Sequence, residues 1–138
     1  MSGPKRAIRG LGEIGLRVKD LSRTQRFYEE TIGLELLKSF PHAGFFRIAD
    51  GYGGHTQVLA LFDRSGMPGY GGLSAEKSTV DHVAFEISRS DYEREKDRLE
   101  QLGQRVETAE HTWVHCRSLS VRDPEGNLVE FVCYDQNV

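Results

Sequence analysis

The feature that most limits how this chain can fold is an internal repeat. The segments EIGLRV and HVAFEI begin at positions 13 and 82, half a chain length apart, and both alternate polar or small residues with apolar ones. A period of two predicts β-strands that have one apolar face. Because a unit of this size cannot bury that face well alone, the two halves are expected to pack together or against a second chain.

A helix is predicted after each repeated strand, because both segments continue into a capping-box start and end at a glycine. These residues are Ser22, Gln25 and Gly33 in the first half and Ser90, Glu93 and Gly103 in the second. Apolar residues at helical spacing predict the buried side of each helix. They are Phe27, Tyr28 and Ile32 in the first helix and Tyr92, Leu99 and Leu102 in the second.

Three short strands are predicted after each helix, separated by the turn sequences PHAG, DGYGG and DPEGN. The strands cover 34–40, 44–49 and 56–62 in the first half and 105–108, 115–121 and 128–134 in the second. The predicted fold class is therefore α+β, with two βαβββ modules in one domain, 1–138. Module one covers about 11–63, a Gly- and Ser-rich linker about 64–78, and module two about 79–135.

Composition excludes several classes of function. The net charge of −3 gives no general reason to bind nucleic acid or an anionic membrane. No apolar run approaches the roughly 20 residues of a membrane span, and the basic N-terminus lacks the apolar core of a secretory signal. Cys116 and Cys133 are too few for a disulfide framework, so reduced thiols in a cytoplasmic protein are expected.

Three segments together resemble one protein family. The segment IGLRVKDLSRTQRFYEETIGLELL is similar to the opening module of the vicinal oxygen chelate superfamily, and DHVAFEI and VRDPEGNLVEFV resemble the first and last strands of its second module. That superfamily includes glyoxalase I, extradiol dioxygenases, and bleomycin- and fosfomycin-resistance proteins. The resemblance covers about residues 11–135. It implies modules that curl their strands around a cleft for a metal and a substrate.

The resemblance also implies a set of metal ligands, at the first and last strands of each module. Glu13, His82 and Glu130 occupy three of these positions, whereas the fourth holds Ala60, which cannot coordinate a metal. One imidazole and two carboxylates suit a divalent ion such as Mn, Fe, Co, Ni or Zn. A hydrogen-bonded core histidine and a solvated edge carboxylate are the alternative interpretations of His82 and Glu13.

Three protein ligands leave coordination positions open for substrate, which is typical of a catalytic site. Glu130 is also the predicted catalytic residue, as a general base. Trp113, His115 and Arg117 are weaker candidates for contacts with the substrate. An exposed loop with a satisfied aromatic anchor explains Trp113 and His115 equally well, and a surface arginine is the preferred alternative for Arg117.

The first functional hypothesis is a glyoxalase-like isomerase or lyase that uses a divalent metal and acts on a small oxygenated substrate. The alternatives are an extradiol-dioxygenase-like oxidoreductase and a metal-free, ligand-sequestering protein of the bleomycin-resistance type. A homodimer is expected, because small paired modules leave sheet edges that a second copy can cover.

Overall fold

The computed structural model describes residues 6–74 and 78–138, and within them eight strands form two four-stranded sheets. The first sheet has the order β1-β4-β3-β2, and the second has the order β5-β8-β7-β6. The strands are β1 (Glu13–Arg17), β2 (Glu35–Phe40), β3 (Ala43–Asp50), β4 (Thr56–Phe62), β5 (His82–Glu86), β6 (Glu107–His111), β7 (Cys116–Arg122) and β8 (Leu128–Tyr134). The neighbouring strands β1 and β4 run parallel, as do β5 and β8, and all other neighbouring pairs are antiparallel.

One helix follows the first strand of each sheet. Helix α1 (Leu21–Arg26) continues as a π-helical segment (Phe27–Ile32), and α2 covers Tyr92–Gln101. The two βαβββ modules and the α+β class are thereby confirmed. Strands β4 and β8 match their predicted bounds, whereas β6 begins two residues later than predicted. Of the predicted linker, residues 75–77 lie outside the described residues, as do residues 1–5 of the chain.

The predicted capping boxes are wrong, although both glycine stops are confirmed. Asp20, rather than Ser22, caps α1 by accepting a hydrogen bond from the backbone N–H of Arg23 at 3.1 Å. Aspartate is at least as good a cap as serine, and Asp20 precedes Ser22, so the helix already begins at Leu21. Gly33 and Gly103 adopt φ of 93° and 82°, a left-handed conformation that glycine reaches without strain.

The second helix starts differently because the side chain of Glu93 is engaged elsewhere. A turn of 3₁₀ helix (Arg89–Asp91) precedes α2, and Arg89 donates to both carboxylate oxygens of Glu93 at 3.0 and 2.8 Å. Glu93 therefore does not reach back to a capping serine. The prediction that Leu102 is buried is also wrong, since it is 50% exposed.

Both modules contribute to one hydrophobic core, which lies on the helix side of each sheet. Its largest members from module one are Leu16, Tyr28, Phe46, Leu59 and Leu61. Those from module two are Phe85, Tyr92, Leu99, Leu119 and Phe131. The alternating strand residues point away from this core, so the chain buries one face of each sheet and leaves the other more open.

The DPEGN turn of module two is anchored to the first helix of module one. The carboxylate of Asp123, which is only 5% exposed, accepts hydrogen bonds from Tyr28 Oη (2.7 Å), the backbone N–H groups of Glu125 and Asn127, and the Asn127 side chain. Burial, with the adjacent Asp123 carboxylate, raises the pKa of Tyr28, so its hydroxyl stays protonated and donates. The DPEGN turn thus joins the two modules.

Two further contacts cross the same junction. The carboxylate of Glu125 accepts hydrogen bonds from the backbone N–H groups of Lys19 and Asp20 at 2.8 and 2.9 Å, at the start of α1. At the other end of this helix, Arg98 donates to the carbonyl oxygens of Thr31 (2.8 Å) and Ile32 (3.3 Å). An acid at the N-terminus of a helix and a cation at its C-terminus both interact favourably with the helix dipole.

Among the helices of residues 6–74 and 78–138, none has the length and apolar character of a membrane span.

Replacing Asp123 by alanine is expected to destabilise the fold, because it leaves the buried Tyr28 hydroxyl and two backbone N–H groups without their acceptor. A loss of about 2–3 kcal/mol in the free energy of unfolding is expected from such unpaired buried groups. Urea unfolding followed by circular dichroism measures it. Asp50→Ala is the control, since that side chain is 89% exposed and pairs only with Arg47. Equal effects of the two substitutions would contradict a structural role for Asp123.

Candidate active site

The open face of the second sheet brings two of the predicted ligands together. In the parallel pair β5–β8, His82 lies opposite Leu128, and Ala84 lies opposite Glu130. His82 and Glu130 therefore project from the same face, one step apart on neighbouring strands. Their side chains approach to 3.7 Å between His82 Nε2 and Glu130 Oε2. The small side chain of Ala84 leaves the space beside Glu130 open.

A second carboxylate fixes the orientation of the imidazole ring. Asp81 Oδ2 lies 2.7 Å from Nδ1 of His82, which leaves Nε2 as the nitrogen directed towards Glu130. The hydrogen bond to Asp81 raises the pKa of His82 and outweighs the lowering effect of burial, and the negative charges of Glu130 and Asp81 add smaller contributions in the same direction as the hydrogen bond. In metal sites, a histidine ligand is commonly oriented by a carboxylate that accepts a hydrogen bond from the ring nitrogen that does not bind the metal.

Further polar groups lie on this face, among apolar side chains such as Leu128 and Val132. Ser120 on β7 lies opposite Glu130, and Ser118 lies opposite Val132. The ring of His111 covers Ser118, with 3.1 Å between Nε2 and the serine hydroxyl. Module two therefore presents hydroxyl, carboxylate and imidazole groups on one surface.

The equivalent face of module one is different in character. Glu13 lies at the position that matches His82, but the residue that matches Glu130 is Ala60, which is fully buried. Phe62 lies beside it, and a Cβ atom on Gly15 would be only 3.2 Å from the Phe62 ring. Gly15 therefore leaves room for an aromatic ring to lie across the strand.

Within one chain, Glu13 does not join His82 and Glu130. Glu13 lies on β1 of the first sheet, whereas His82 and Glu130 lie on β5 and β8 of the second, and residues 6–74 and 78–138 contain no cluster of three His, Cys, Asp or Glu side chains arranged to hold a metal ion. Glu13 and His82 both lie on exposed surface. The set of three ligands stays a prediction, and a single chain brings together only two of its members.

The predicted substrate contacts are dispersed. Trp113 is 85% exposed in a 3₁₀ turn (Thr112–Val114) between β6 and β7. His115 adopts φ of 53°, and its Nδ1 lies 2.6 Å from the carbonyl oxygen of Val138. This turn interrupts the alternation of HTWVH, so these side chains do not form one strand face.

Arg117 lies on the opposite side of the sheet from Glu130, because it alternates with Ser118 and Ser120. It donates to Glu110 at 3.0 Å and to Asp135 at 3.2 Å, and Arg89 donates to the same Asp135 oxygen at 2.8 Å. The backbone N–H of Asn137, with the two guanidinium groups, lowers the pKa of the buried Asp135 carboxyl. These contacts hold the Arg117 side chain away from His82 and Glu130, and its contact with a substrate stays a prediction.

Two cavities of about 370 and 260 Å³ lie on the chain. The larger is lined by residues of α1 and the DPEGN turn, and the smaller by residues of β6, β7 and β8 that include Ser120 and Leu128, the neighbours of Glu130 and His82 in the sheet. Neither is lined by Glu13, His82 or Glu130. We assign the site by its chemistry, since an open sheet face encloses no volume until a second surface covers it.

The raised pKa of His82 can be measured directly. In the metal-free protein, NMR titration of its ring carbon is expected to give a pKa above the ordinary value of roughly 6.5, and Asp81→Asn is expected to lower it. Because the pKa is raised in the fold, the associated stabilisation is present below the unfolded value and is lost as the pH rises through the folded one. A pKa unchanged by Asp81→Asn would contradict the assigned hydrogen bond.

Solved structures of similar proteins share this architecture. An integron cassette protein from the mobile metagenome of the Halifax Harbour sewage outfall is 26% identical, with 91% of this chain and 99% of that chain covered and a TM-score of 0.69. Lactoylglutathione lyase from Agrobacterium tumefaciens is also 26% identical, with 93% and 96% covered and a TM-score of 0.66.

A third similar structure is a mutant of the fosfomycin resistance protein FosX from Listeria monocytogenes, in complex with Mn(II) and 1S,2S-dihydroxypropylphosphonic acid. It is 25% identical, with 90% of this chain and 89% of that chain covered and a TM-score of 0.64. A family model matches residues 10–131, which is most of the chain and includes both modules. The chain therefore belongs to the Glyoxalase/Bleomycin resistance protein/Dioxygenase superfamily.

Proposed function

We propose that this protein is a divalent-metal-dependent, glyoxalase-like enzyme of the isomerase or lyase type, acting on a small oxygenated substrate. The observation that carries the proposal is the pair of His82 and Glu130, with Asp81 behind the imidazole. A histidine with only a structural role in the strand would not need an unbonded ring nitrogen next to a half-buried carboxylate.

The residues present fit a divalent ion. When Nδ1 of the neutral His82 ring donates to Asp81, Nε2 keeps a lone pair for a metal. His82 Nε2 and the Glu130 carboxylate are 3.7 Å apart, too far for a good hydrogen bond. With Glu13 they form a mixed nitrogen and oxygen set suited to ions such as Mn, Fe, Co, Ni or Zn. The Mn(II) in the similar FosX complex supports this assignment.

A homodimer would bring Glu13 to the other two ligands. The helix sides of both sheets are already buried in the shared core, so the open faces are the surfaces left for a second copy. In a two-fold dimer, the open face of module one on each subunit would lie against module two of its partner. Each site would then combine His82 and Glu130 of one chain with Glu13 of the partner subunit.

Glu130 would act as the general base. A bound divalent ion polarises a carbonyl or enolate oxygen and stabilises the negative charge that develops there. The Glu130 carboxylate, 18% exposed, would remove a proton from the neighbouring carbon and return it to a different position. Asp81 would hold the His82 ring in one tautomer throughout, as its 2.7 Å contact with Nδ1 already does in the free protein.

Two simple measurements separate this function from the alternatives. Extradiol ring cleavage is less well supported, because iron sites of that kind use two histidines and one carboxylate, whereas this set contains a single histidine. Oxygen uptake with a catechol tests it. Ligand sequestration without a metal is tested by elemental analysis of protein purified without a metal-affinity tag.

The cytoplasm is the compartment that we propose. Cys116 is half-buried and Cys133 is buried, and both are free thiols. Burial raises the pKa of the Cys133 thiol, which keeps it protonated and unreactive. Unpaired cysteines of this kind fit a reducing environment.

Mixing two inactive variants tests whether the site is shared between subunits. Glu13→Ala and Glu130→Ala homodimers are each expected to lose tight Mn(II) binding, as is His82→Ala. After subunit exchange in an equal mixture, about half of the dimers are mixed and each has one intact site, so about a quarter of the sites should return. Calorimetry with Mn(II) measures the recovered stoichiometry.

Two outcomes would contradict the shared site. If the mixture recovered no binding although native mass spectrometry detected mixed dimers, the ligands would not come from two chains. If Glu13→Ala alone bound Mn(II) as tightly as the parent protein, Glu13 would not be a ligand. Glu86→Ala, on the same exposed face of β5, is the control for a general loss of negative charge.

Replacing Glu130 by glutamine is expected to affect turnover far more than stability. The substitution keeps the size of the side chain, so a loss of about 1 kcal/mol in unfolding free energy is expected. Loss of a general base should slow turnover roughly a hundredfold or more. A thermal melt beside an assay on a substrate found by screening 2-oxo thioesters, epoxides and catechols measures both. Activity falling only in proportion to the folded fraction would make Glu130 a structural residue.

A further inference from the structure

The open face of module one has a composition that the metal site does not explain. Backbone pairing arranges its side chains in three rows across the strands. The first row includes the predicted ligand Glu13 and is mostly polar; its members are Glu13, Val58, Arg47 and Glu35. The next two rows are mostly apolar, and we call their three rings, Phe40, Phe45 and Phe62, the phenylalanine cluster.

The phenylalanine cluster forms a continuous aromatic surface. Phe45 packs edge-on against Phe40 at 5.8 Å between ring centroids and against Phe62 at 5.7 Å. Phe45 lies directly opposite Ala60, the residue at the missing ligand position, which has no exposed surface. Phe40 remains 48% exposed, so the cluster faces outward from the chain. Exposed aromatic surface of this kind usually marks a binding site.

Positive charges surround the cluster. The guanidinium of Arg64 lies 4.4 Å from the centroid of Phe62, and the ammonium of Lys38 lies 5.6 Å from that of Phe40. Arg17 lies on the same face, in the row of Phe62. None of these three cations forms an ion pair within the described parts of the chain, whereas Arg47 in the first row is held by Asp50 at 2.6 Å. Cations stacked on rings keep donors free for an anion.

From these observations we infer that the substrate carries an aromatic or bulky apolar group together with an anionic group such as a carboxylate. The inference rests on the proposed function, because a shared site places the phenylalanine cluster opposite His82 and Glu130 of the partner subunit. Module two then supplies the polar groups that hold the reacting oxygens. Module one supplies the surface that selects the remainder of the substrate by ring contact and charge.

Three stable compounds test the inference, because they share two neighbouring oxygen-bearing carbons but differ in one property each. Mandelate has a ring and a negative charge, lactate replaces the ring by a methyl group, and 1-phenyl-1,2-ethanediol keeps the ring without the charge. Competition calorimetry on the Mn(II)-loaded dimer is expected to show that mandelate binds at least about tenfold more tightly than lactate. Differences of this size are typical when a pocket distinguishes apolar groups of different size. The diol should also bind more weakly than mandelate.

Paired substitutions assign the preference to the cluster. Phe62→Leu should reduce the mandelate-to-lactate ratio several-fold and leave Mn(II) affinity unchanged. Arg64→Gln should weaken the binding of both mandelate and lactate and leave the affinity for the diol unchanged. Arg9 and Tyr52 provide the controls, as an exposed cation–ring pair at 3.9 Å on another part of module one. Arg9→Gln and Tyr52→Leu should change none of these affinities.

The outcomes separate this inference from the proposed function. Loss of Mn(II) binding or of subunit sharing in the parent protein would overturn the proposed function itself. Normal Mn(II) binding with equal affinities for mandelate and lactate would overturn only the substrate class. If Phe62→Leu instead dissociated the dimer in light scattering, the cluster would be a packing surface between subunits, and the inference would also fall.

Discussion

Burial of the helix side of both sheets in one shared core is the constraint on which the remaining structure depends. Once Leu16, Phe46 and Leu59 of one module pack in the same core as Phe85 and Phe131 of the other, each sheet has one face left. Alternation along the strands then decides what that face carries. The functional groups are therefore those that alternate with the core residues, and they point away from it.

This arrangement divides the work between the two modules. On module two the outward residues are His82, Glu130 and two serines, whereas on module one they include three phenylalanine rings and several cations. The replacement of a ligand by Ala60 is thus accompanied by an aromatic surface over the same position. We interpret the two modules as a metal-holding half and a substrate-selecting half of one site, completed between subunits.

Much of the fold could be predicted from the sequence because its signals are local and repeated. The period of two in EIGLRV and HVAFEI, and the glycines at 33 and 103, correspond to strand faces and helix ends that depend on few other residues. Cap positions were less predictable, since Asp20 competes with Ser22 and an ion pair occupies Glu93. That His82 and Glu130 would lie close together followed from the family resemblance, which implies metal ligands on the first and last strands of each module.

The rest of the site depends on contacts that no local pattern encodes. Arg117 reads as a possible anion contact, yet its alternation with Ser118 places it on the helix side, where Asp135 holds it. The 3₁₀ turn at Trp113 and the positive φ of His115 separate two side chains that were predicted together as substrate contacts. The phenylalanine cluster escaped prediction because its members come from three strands, although the small residues Gly15 and Ala60 beneath it were a usable signal.

We propose that one divalent ion joins two subunits through His82, Glu130 and the partner's Glu13. The most direct measurement is anomalous diffraction at the manganese absorption edge from crystals grown with Mn(II). We predict one peak per chain, within bonding distance of His82 Nε2 and the Glu130 carboxylate, with Glu13 of the partner subunit as the third protein ligand. A peak that lies elsewhere, or one completed by Glu13 of the same chain, would contradict the account.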